Sequence, residues 1–394
     1  MNDIPNIEQL ALSGRNVFLR LDLNAPIRDG IVTSDARLKA AIPSIKYAME
    51  QGAQVALGSH LGRPKGKRNP DFSLEPIGQR LSELLETDVA LADSCIGDGV
   101  AGLLKQVTHG VVLLENLRFH AGETGNDSNF ARELARPFDV YVNDAFGASH
   151  RSHASIVGMP RHLTETGAGF LVSREVKALN KLLHEPARPF VAVVGGAKVF
   201  DKLGVLNALL QRVDTLCIGG AMAYTFMRAS GVSVGSSMVE EDCLRLATDV
   251  LGRARMRGVK ILLPVDHVVA DHFGEDASAK VLPEAAIAAG WMGLDIGPDT
   301  CALYGEQIAG AGSVFWNGPM GVFEWRQFSK GTMSLAAALS NCSGYTVVGG
   351  GDSVAAVEKA DIVSKIDHVS TGGGASLEFL EHGNLPGIDV LSRG

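Results

Sequence analysis

Short apolar, β-branched runs recur along this chain, and the residues that end them differ between its two halves. In the second half five runs stop at small-residue loops: Phe190-Val-Ala-Val-Val-Gly-Gly196, Thr215-Leu-Cys-Ile-Gly-Gly220, Val314-Phe-Trp-Asn-Gly-Pro319, Thr346-Val-Val-Gly-Gly-Gly-Asp352 and His368-Val-Ser-Thr-Gly-Gly-Gly374. Each reads as a buried strand whose glycine end lets backbone N–H groups approach an anion, with the positive N-terminus of a helix behind it. In the first half the corresponding runs end in polar groups: Val17-Phe-Leu-Arg-Leu-Asp-Leu-Asn24, Gln54-Val-Ala-Leu-Gly-Ser-His-Leu-Gly-Arg63, Val111-Val-Leu-Leu-Glu-Asn-Leu-Arg-Phe119 and Val140-Tyr-Val-Asn-Asp-Ala-Phe-Gly147.

Between the runs lie segments of helical period. Ser73 stands where an N-cap belongs, ahead of Leu74, Ile77, Leu81, Leu84 and Leu85. Gly167 and Gly169 precede Leu171, Val172, Val176, Leu179, Leu182 and Leu183, a helix closed by Pro186 and Pro189. Strands alternating with helices predict an α/β protein of two Rossmann-like domains, each a parallel sheet flanked by helices, facing across a hinge-bending cleft. The expected boundaries are 1–170 for the first domain, joined by a returning segment 380–394, 171–188 for a connector helix, and 189–379 for the second domain. Ligands of such sheets bind at the carboxyl ends of the strands. A two-substrate enzyme that closes on both ligands is therefore expected.

At 394 residues, 46% hydrophobic and 20% charged, the chain is long enough for two cores. A net charge of −8 disfavours nucleic acid or an anionic membrane as the main partner. Cys95, Cys217, Cys243, Cys301 and Cys342 show no paired spacing, which suits a reducing compartment. With Asp3 and Glu8 near the start and no apolar stretch approaching the ~20 residues of a spanning helix, a cytoplasmic protein is expected.

Arg20, Arg37, His60, Arg63, Arg118, His120, His150, Arg151 and His153 lie mostly at or just past first-half strand ends. Guanidinium groups bind phosphate and carboxylate in planar, bidentate fashion, so a small polyanion is the natural occupant. Any one arginine is ordinarily a surface ion pair; several at corresponding strand ends are not. Asp22 and Asn24 can receive hydroxyls or simply form the turn at Asn24-Ala-Pro26. His150 and His153 have a metal-like spacing but no convincing third ligand, and Arg151 between them repels a cation.

In the second half Lys198 and Lys202, four apart, project from one face if the segment after Gly196 is helical. Asp352 is the best magnesium-linked carboxylate, because phosphoryl-transfer sites hold Mg²⁺ by one or two carboxylates plus phosphate oxygens; otherwise it is an N-cap. Neither a Gly-x-x-x-x-Gly-Lys-Ser/Thr loop nor a strand-linked Gly-x-Gly-x-x-Gly is present, which disfavours a P-loop ATPase or a dinucleotide dehydrogenase.

Eight separated motifs, in order, resemble those of the phosphoglycerate kinase family: Arg20-Leu-Asp-Leu-Asn24, His60-Leu-Gly-Arg-Pro64, Glu115-Asn-Leu-Arg-Phe119, Asn143 to Arg151, Gly195-Gly-Ala-Lys198 with Asp201-Lys202, Trp316 to Glu324, Gly350-Gly-Asp352 and Thr371-Gly-Gly-Gly-Ala375. The resemblance implies a kinase moving a phosphoryl group reversibly between 1,3-bisphosphoglycerate and ADP, giving 3-phosphoglycerate and ATP with Mg²⁺, as a monomer. It implies that Asp22, Leu23, Asn24, Arg37, His60, Leu61, Gly62, Arg63, Arg118 and Arg151 surround 3-phosphoglycerate. Arg63, Arg118 and Arg151 would take the 3-phosphate and Arg37 would face the reacting carboxyl. For the nucleotide it implies Lys202, Gly219, Gly220, Gly293, Leu294, Asn317, Pro319, Glu324, Gly350, Gly351, Asp352 and Ser353, with Glu324 on the ribose and Asp352 serving the magnesium. Lys198 and the amides of Gly372, Gly373 and Gly374 would follow the phosphoryl group. At Ser353 the family frequently has threonine; either hydroxyl can assist a phosphate.

The acceptor carboxylate, with a pKa near ~4, needs no general base, so catalysis must neutralise and align charge. Two other classes compete: a non-catalytic nucleotide- or phosphometabolite-binding protein of the same fold, disfavoured by the presence of both Arg37 and Lys198, and a kinase acting on an alcohol, for which Asp22 is the evident base.

Overall fold

The computed structural model describes residues 4–392. The chain divides into two compact units, Met1–Lys177 with Asn384–Gly394, and Ala178–Gly383.

The first unit is built on a six-stranded sheet in the order Val89–Leu91, Val111–Leu113, Gln54–Gly58, Asn16–Leu21, Val140–Asp144, Glu165–Ala168. Every pairing in it is parallel, with Val17 opposite both Val55 and Val140. The four central strands are those the apolar runs predict. Of the two outer ones, Val89–Leu91 is too short, at three residues, and Glu165–Ala168 too mixed in polarity to stand out. Buried on both faces, the central strands read as continuous apolar runs, and Val17, Leu19, Leu21, Leu57 and Val142 join Ile45, Ile77 and Leu81 from the covering helices in one core. Each such side chain contributes about 1.5–3 kcal/mol of burial.

The helix Glu75–Leu85 buries Ile77, Leu81 and Leu85. Ser73 Oγ accepts from Glu75 N at 3.2 Å, and the buried Glu115 carboxylate accepts from Leu74 N at 2.9 Å, so the first N–H groups of the helix are satisfied from two sides. The helix Phe170–His184 follows Gly169 as predicted and ends ahead of Pro186. The division between the units falls within it, after Lys177, rather than at its ends. Residues 380–382 complete the second unit's helix Gly374–His382, so the segment that returns to the first unit starts at Asn384, later than the expected 380. It is fixed there by Gly387, whose N–H donates to Ser149 O at 2.8 Å and whose carbonyl accepts from Asn143 Nδ2 at 2.9 Å.

The second unit holds a six-stranded parallel sheet in the order Lys260–Leu262, Thr215–Ile218, Phe190–Val194, Ser313–Asn317, Tyr345–Gly349, His368–Val369. All five glycine-terminated runs lie side by side in it, which places their loops along one edge. A second, antiparallel sheet of Ala279–Leu282, His267–Ala270 and Met292–Ile296 is an addition to the parallel-sheet reading. Its outer strand Ala279–Leu282 is mostly exposed and lacks the apolar signature of its neighbours. No helix among the described residues is long and apolar enough to cross a membrane.

Candidate active site

In the first unit, parallel strands deliver basic groups to a common edge. Arg20, next to last in the strand Asn16–Leu21, is fully buried; Nε donates to Ser155 Oγ at 2.8 Å and Nη1 to Leu21 O. Leu23 N donates to Ser59 Oγ, and Asn24 Oδ1 accepts from Gly62 N at 3.0 Å, which ties the loops after two neighbouring strands together. Gly62 takes φ +58, and a Cβ there would stand 2.4 Å from the Phe72 ring, so this turn requires glycine. Leu23 and Leu61 are buried packing residues whose side chains support the loops. His60 is buried, and burial together with the charges of Arg20, Arg118, Arg151 and His153 holds it well below its ordinary pKa.

Arg63, Lys65, Gly66, Arg118, Thr124, Arg151 and His153 line a cavity of about 260 Å³. Three of these are the arginines assigned to the 3-phosphate. Arg118 Nη1 donates to Gly62 O at 2.7 Å, while burial, then the nearby Arg151 and Arg20, bring its pKa down to about 10. His153 is pushed down to about 4, first by burial and then by the same arginines, so at neutral pH the cavity's charge is carried by guanidinium and ammonium groups. Arg37 and Asp22 form an ion pair of 2.5 Å. Lys65 and Thr124 line this cavity without a motif that marks them; Lys65 holds φ +57 in the turn after Pro64.

In the second unit the glycine loops pack on one another. Gly195 N donates to Asn317 O at 2.9 Å, Gly196 N to Pro319 O at 3.0 Å and Gly220 N to Met320 O at 3.1 Å. A Cβ on Gly195 would lie 2.1 Å from Pro319 O, and one on Gly219 2.2 Å from Met320 Sδ. These glycines are therefore required by loop-to-loop contact before any ligand is considered. Lys202 Nζ caps the arrangement, donating to Gly195 O at 2.6 Å and to Asn317 Oδ1 at 2.6 Å. Its burial brings its pKa down to about 8 against the opposing charges of Asp352 and Asp201.

Lys198 stands in the loop before the first helical turn, Phe200–Lys202, and is exposed, so the two lysines do not share a helical face as their spacing suggested. Val199 between them is fully buried and turns the chain. Asp352 lies inside the first turn of the helix Gly351–Lys359, whose cap is Gly350 at φ +91, so it is not the N-cap. Buried Ser353 Oγ accepts from Gly318 N. Gly372 N donates to Ser370 Oγ at 3.2 Å, so only the Gly373 and Gly374 amides, at the N-terminal end of helix Gly374–His382, are placed as helix-end donors.

A cavity of about 420 Å³ opens beside these loops. Gly220, Gly293, Leu294, Pro319, Glu324 and Asp352, all assigned from sequence, line it. So do Tyr224, Met238, Phe273, Met292 and Val322, which sequence reasoning missed because apolar wall residues are indistinguishable from core by periodicity. Gly219, Asn317, Gly350, Gly351, Ser353 and Lys202 do not line it; they build the loops at its edge. Burial raises Asp295, whose carboxylate accepts from Ile296 N and Gly331 N behind this wall, to about 7.

One basic anion cavity and one apolar cavity edged by backbone amides suit two phosphorylated ligands of different kinds. The family model described as phosphoglycerate kinase matches residues 7–383. A phosphoglycerate kinase of Anaeromyxobacter sp. strain Fw109-5 is 56% identical, covering 98% of this chain and 99% of its own. A chloroplastic phosphoglycerate kinase of Arabidopsis thaliana is 50% identical over 99% of this chain and 82% of its own. Among solved structures, phosphoglycerate kinase from Coxiella burnetii superposes with a TM-score of 0.90 at 40% identity, covering 99% of both chains, and that from Pyrococcus horikoshii with 0.85 at 34%, covering 98% of both. The chain belongs to the phosphoglycerate kinase family, enzymes that transfer a phosphoryl group to and from a carboxyl acceptor.

Proposed function

We propose that the basic cavity of the first unit holds 3-phosphoglycerate and that the loop edge and apolar cavity of the second hold ADP or ATP. The observation that carries this reading is the cavity of about 260 Å³ lined by the basic side chains Arg63, Lys65, Arg118 and Arg151 and by His153, with no acid among its lining residues. A 3-phosphate there is met by planar, bidentate donors. Asp22, Asn24 and His60 stand at the neighbouring strand ends as partners for the hydroxyl and carboxylate. Arg37, the more exposed member of its pair with Asp22, is held by that pair beside the place of the reacting carboxyl.

In the second unit the base occupies the apolar wall of Gly220, Gly293, Leu294 and Pro319, with Glu324 on the ribose. Lys202 and the Gly350–Ser353 turn hold phosphates at a helix N-terminus. Asp352 fits a magnesium site: it is exposed at the cavity, forms no ion pair among the described residues, and stands in the first helical turn after the glycine loop 349–351. Mg²⁺ bound there with the nucleotide supplies positive charge to the phosphate oxygens.

The acceptor is already an anion, so no residue is needed as base. Arg37, Lys198 and the Gly373 and Gly374 amides stabilise charge on the moving phosphoryl group. Asp22 is committed to Arg37, which removes the one candidate base for an alcohol acceptor. We place the protein in the cytoplasm as a monomer acting on small molecules; its acidic net charge of −8 disfavours nucleic acid or an anionic membrane as a partner. A coupled assay with ADP and 1,3-bisphosphoglycerate tests the reading: saturable ATP formation supports it, and binding of both ligands without turnover contradicts it.

A further inference from the structure

Behind the basic cavity lies an acid that the proposed chemistry does not use. Glu123 is fully buried, on the short helix Ala121–Thr124 whose last residue lines the cavity. Its Oε1 accepts from Ser155 Oγ at 2.6 Å and its Oε2 from Ser155 N at 2.9 Å. Ser155 sits in a π-helical turn, Ala154–Gly158, which is anchored by Tyr141 Oη donating to Ser155 O at 2.9 Å. Ser155 Oγ gives its one proton to Glu123 and therefore accepts from Arg20 Nε at 2.8 Å. Arg20 Nη2 in turn lies 3.4 Å from His60 Nδ1.

The direction of this chain is fixed by chemistry. A carboxylate only accepts and a guanidinium only donates, so the hydroxyl between them has one available orientation. At the far end, Arg20 donates to His60 Nδ1, which must carry a lone pair. The groups around His60, namely Arg20, Arg118, Arg151 and His153, all oppose a second proton. His60 is then a neutral imidazole with hydrogen on Nε2.

We propose that Glu123 is a positioning residue of the first unit: through Ser155 and Arg20 it sets the tautomer of His60, making Nε2–H a fixed donor to the acid substrate. This rests on the reading that 3-phosphoglycerate occupies the basic cavity. A charge-only view gives the opposite sign, since an anion buried behind an anion site repels its ligand, and neutralising it would tighten binding.

The test uses the full chain with ¹⁵N-labelled histidine, His60→Ala identifying the His60 signals, and calorimetric titration of 3-phosphoglycerate and of ADP. The expected result is a His60 protonated on Nε2 alone between pH 6 and 8. In Ser155→Ala and Glu123→Gln the tautomers mix and 3-phosphoglycerate binding weakens roughly three- to tenfold, the scale of one hydrogen bond, with ADP binding unchanged. Ser155→Ala removes a single oxygen and keeps the Ser155 N–H bond to Glu123, so it remains informative if Glu123→Gln fails to fold. A wild-type His60 protonated on Nδ1, or titrating near its ordinary pKa, overturns the relay, as does tighter 3-phosphoglycerate binding in Glu123→Gln. Failure of wild-type protein to bind 3-phosphoglycerate overturns the substrate reading instead, and the tautomer still decides the relay.

Discussion

Arg37 Nη1 lies 2.5 Å from Asp22 Oδ2, a pair in which the acid is only 11% exposed and the guanidinium 43%. The acid is held by the strand end while the base reaches out from the first turn of the helix Ala36–Glu50. A cation at a helix N-terminus is not favoured by the helix dipole, so its placement needs another reason, and a negatively charged ligand supplies one. Arg37→Ala should lower kcat about 10²-fold or more, by analogy with single electrostatic donors, while ADP affinity stays as in the wild type. Asp22→Ala should weaken 3-phosphoglycerate binding even though it removes a negative charge, because Arg37 loses its restraint. Steady-state kinetics and calorimetry on both variants decide this; near-wild-type turnover in Arg37→Ala would remove it from the mechanism.

The two lysines of the second unit should separate cleanly. Lys198 is exposed in its loop, so Lys198→Ala should depress turnover by about 10² or more with nucleotide binding little changed. Lys202 bridges the loops at Gly195 and Asn317, so Lys202→Ala should weaken nucleotide binding and lower the melting temperature together. Equal effects of both substitutions on both readouts would contradict the assignment.

Lys202 also predicts a pH dependence. Its pKa is brought from 10.5 down to about 8, first by burial. Below that pH it is protonated and meets phosphate directly. Above it, nucleotide binding must take up a proton, so ADP affinity should fall by up to tenfold per pH unit until the bound-state pKa is reached. The stability sign is the reverse: the folded state carries fewer protons on this lysine than the unfolded chain, so its contribution becomes more favourable as pH rises from about 8 toward 10.5. Titrations of ADP from pH 7 to 10, with Lys202→Arg as the non-titrating control, check both; a flat profile in the wild type would show that Lys202 does not meet the phosphates.

Glycine placement gives a fourth test. Gly318 has φ +99 and a Cβ there would lie 2.3 Å from Gly195 O, whereas Gly231, at φ +85, has open space around it. Gly318→Ala should lose stability beyond the ~1 kcal/mol of an unfavourable φ and impair nucleotide binding. Gly231→Ala should show the backbone cost alone. Denaturant melts with ADP titrations distinguish them.

The sequence made the central parallel strands legible because they are buried on both faces and so write continuous apolar runs, and because their functional groups follow them directly. The antiparallel sheet escaped because Ala279–Leu282 is a largely exposed edge carrying Ala279 and Lys280. A shared helix face for Lys198 and Lys202 requires helix directly after Gly196, and spacing alone does not show that the turn begins only at Phe200. Tyr224 and Phe273, as walls of an apolar cavity, carry no mark that separates them from core. The Glu123–Ser155 contact joins residues 32 apart through a π-turn, a geometry with no periodic signature.

The central claim is a division of labour, with the triose acid held by one unit and the nucleotide by the other, and paired calorimetric titrations of Arg118→Ala and Asp352→Ala test it most directly. Arg118 lines the basic cavity and Asp352 the apolar one. The account predicts that Arg118→Ala loses 3-phosphoglycerate affinity and keeps that for magnesium-ADP, and that Asp352→Ala does the reverse. Loss of both ligands in either variant, or loss of the nucleotide alone in Arg118→Ala, would contradict it.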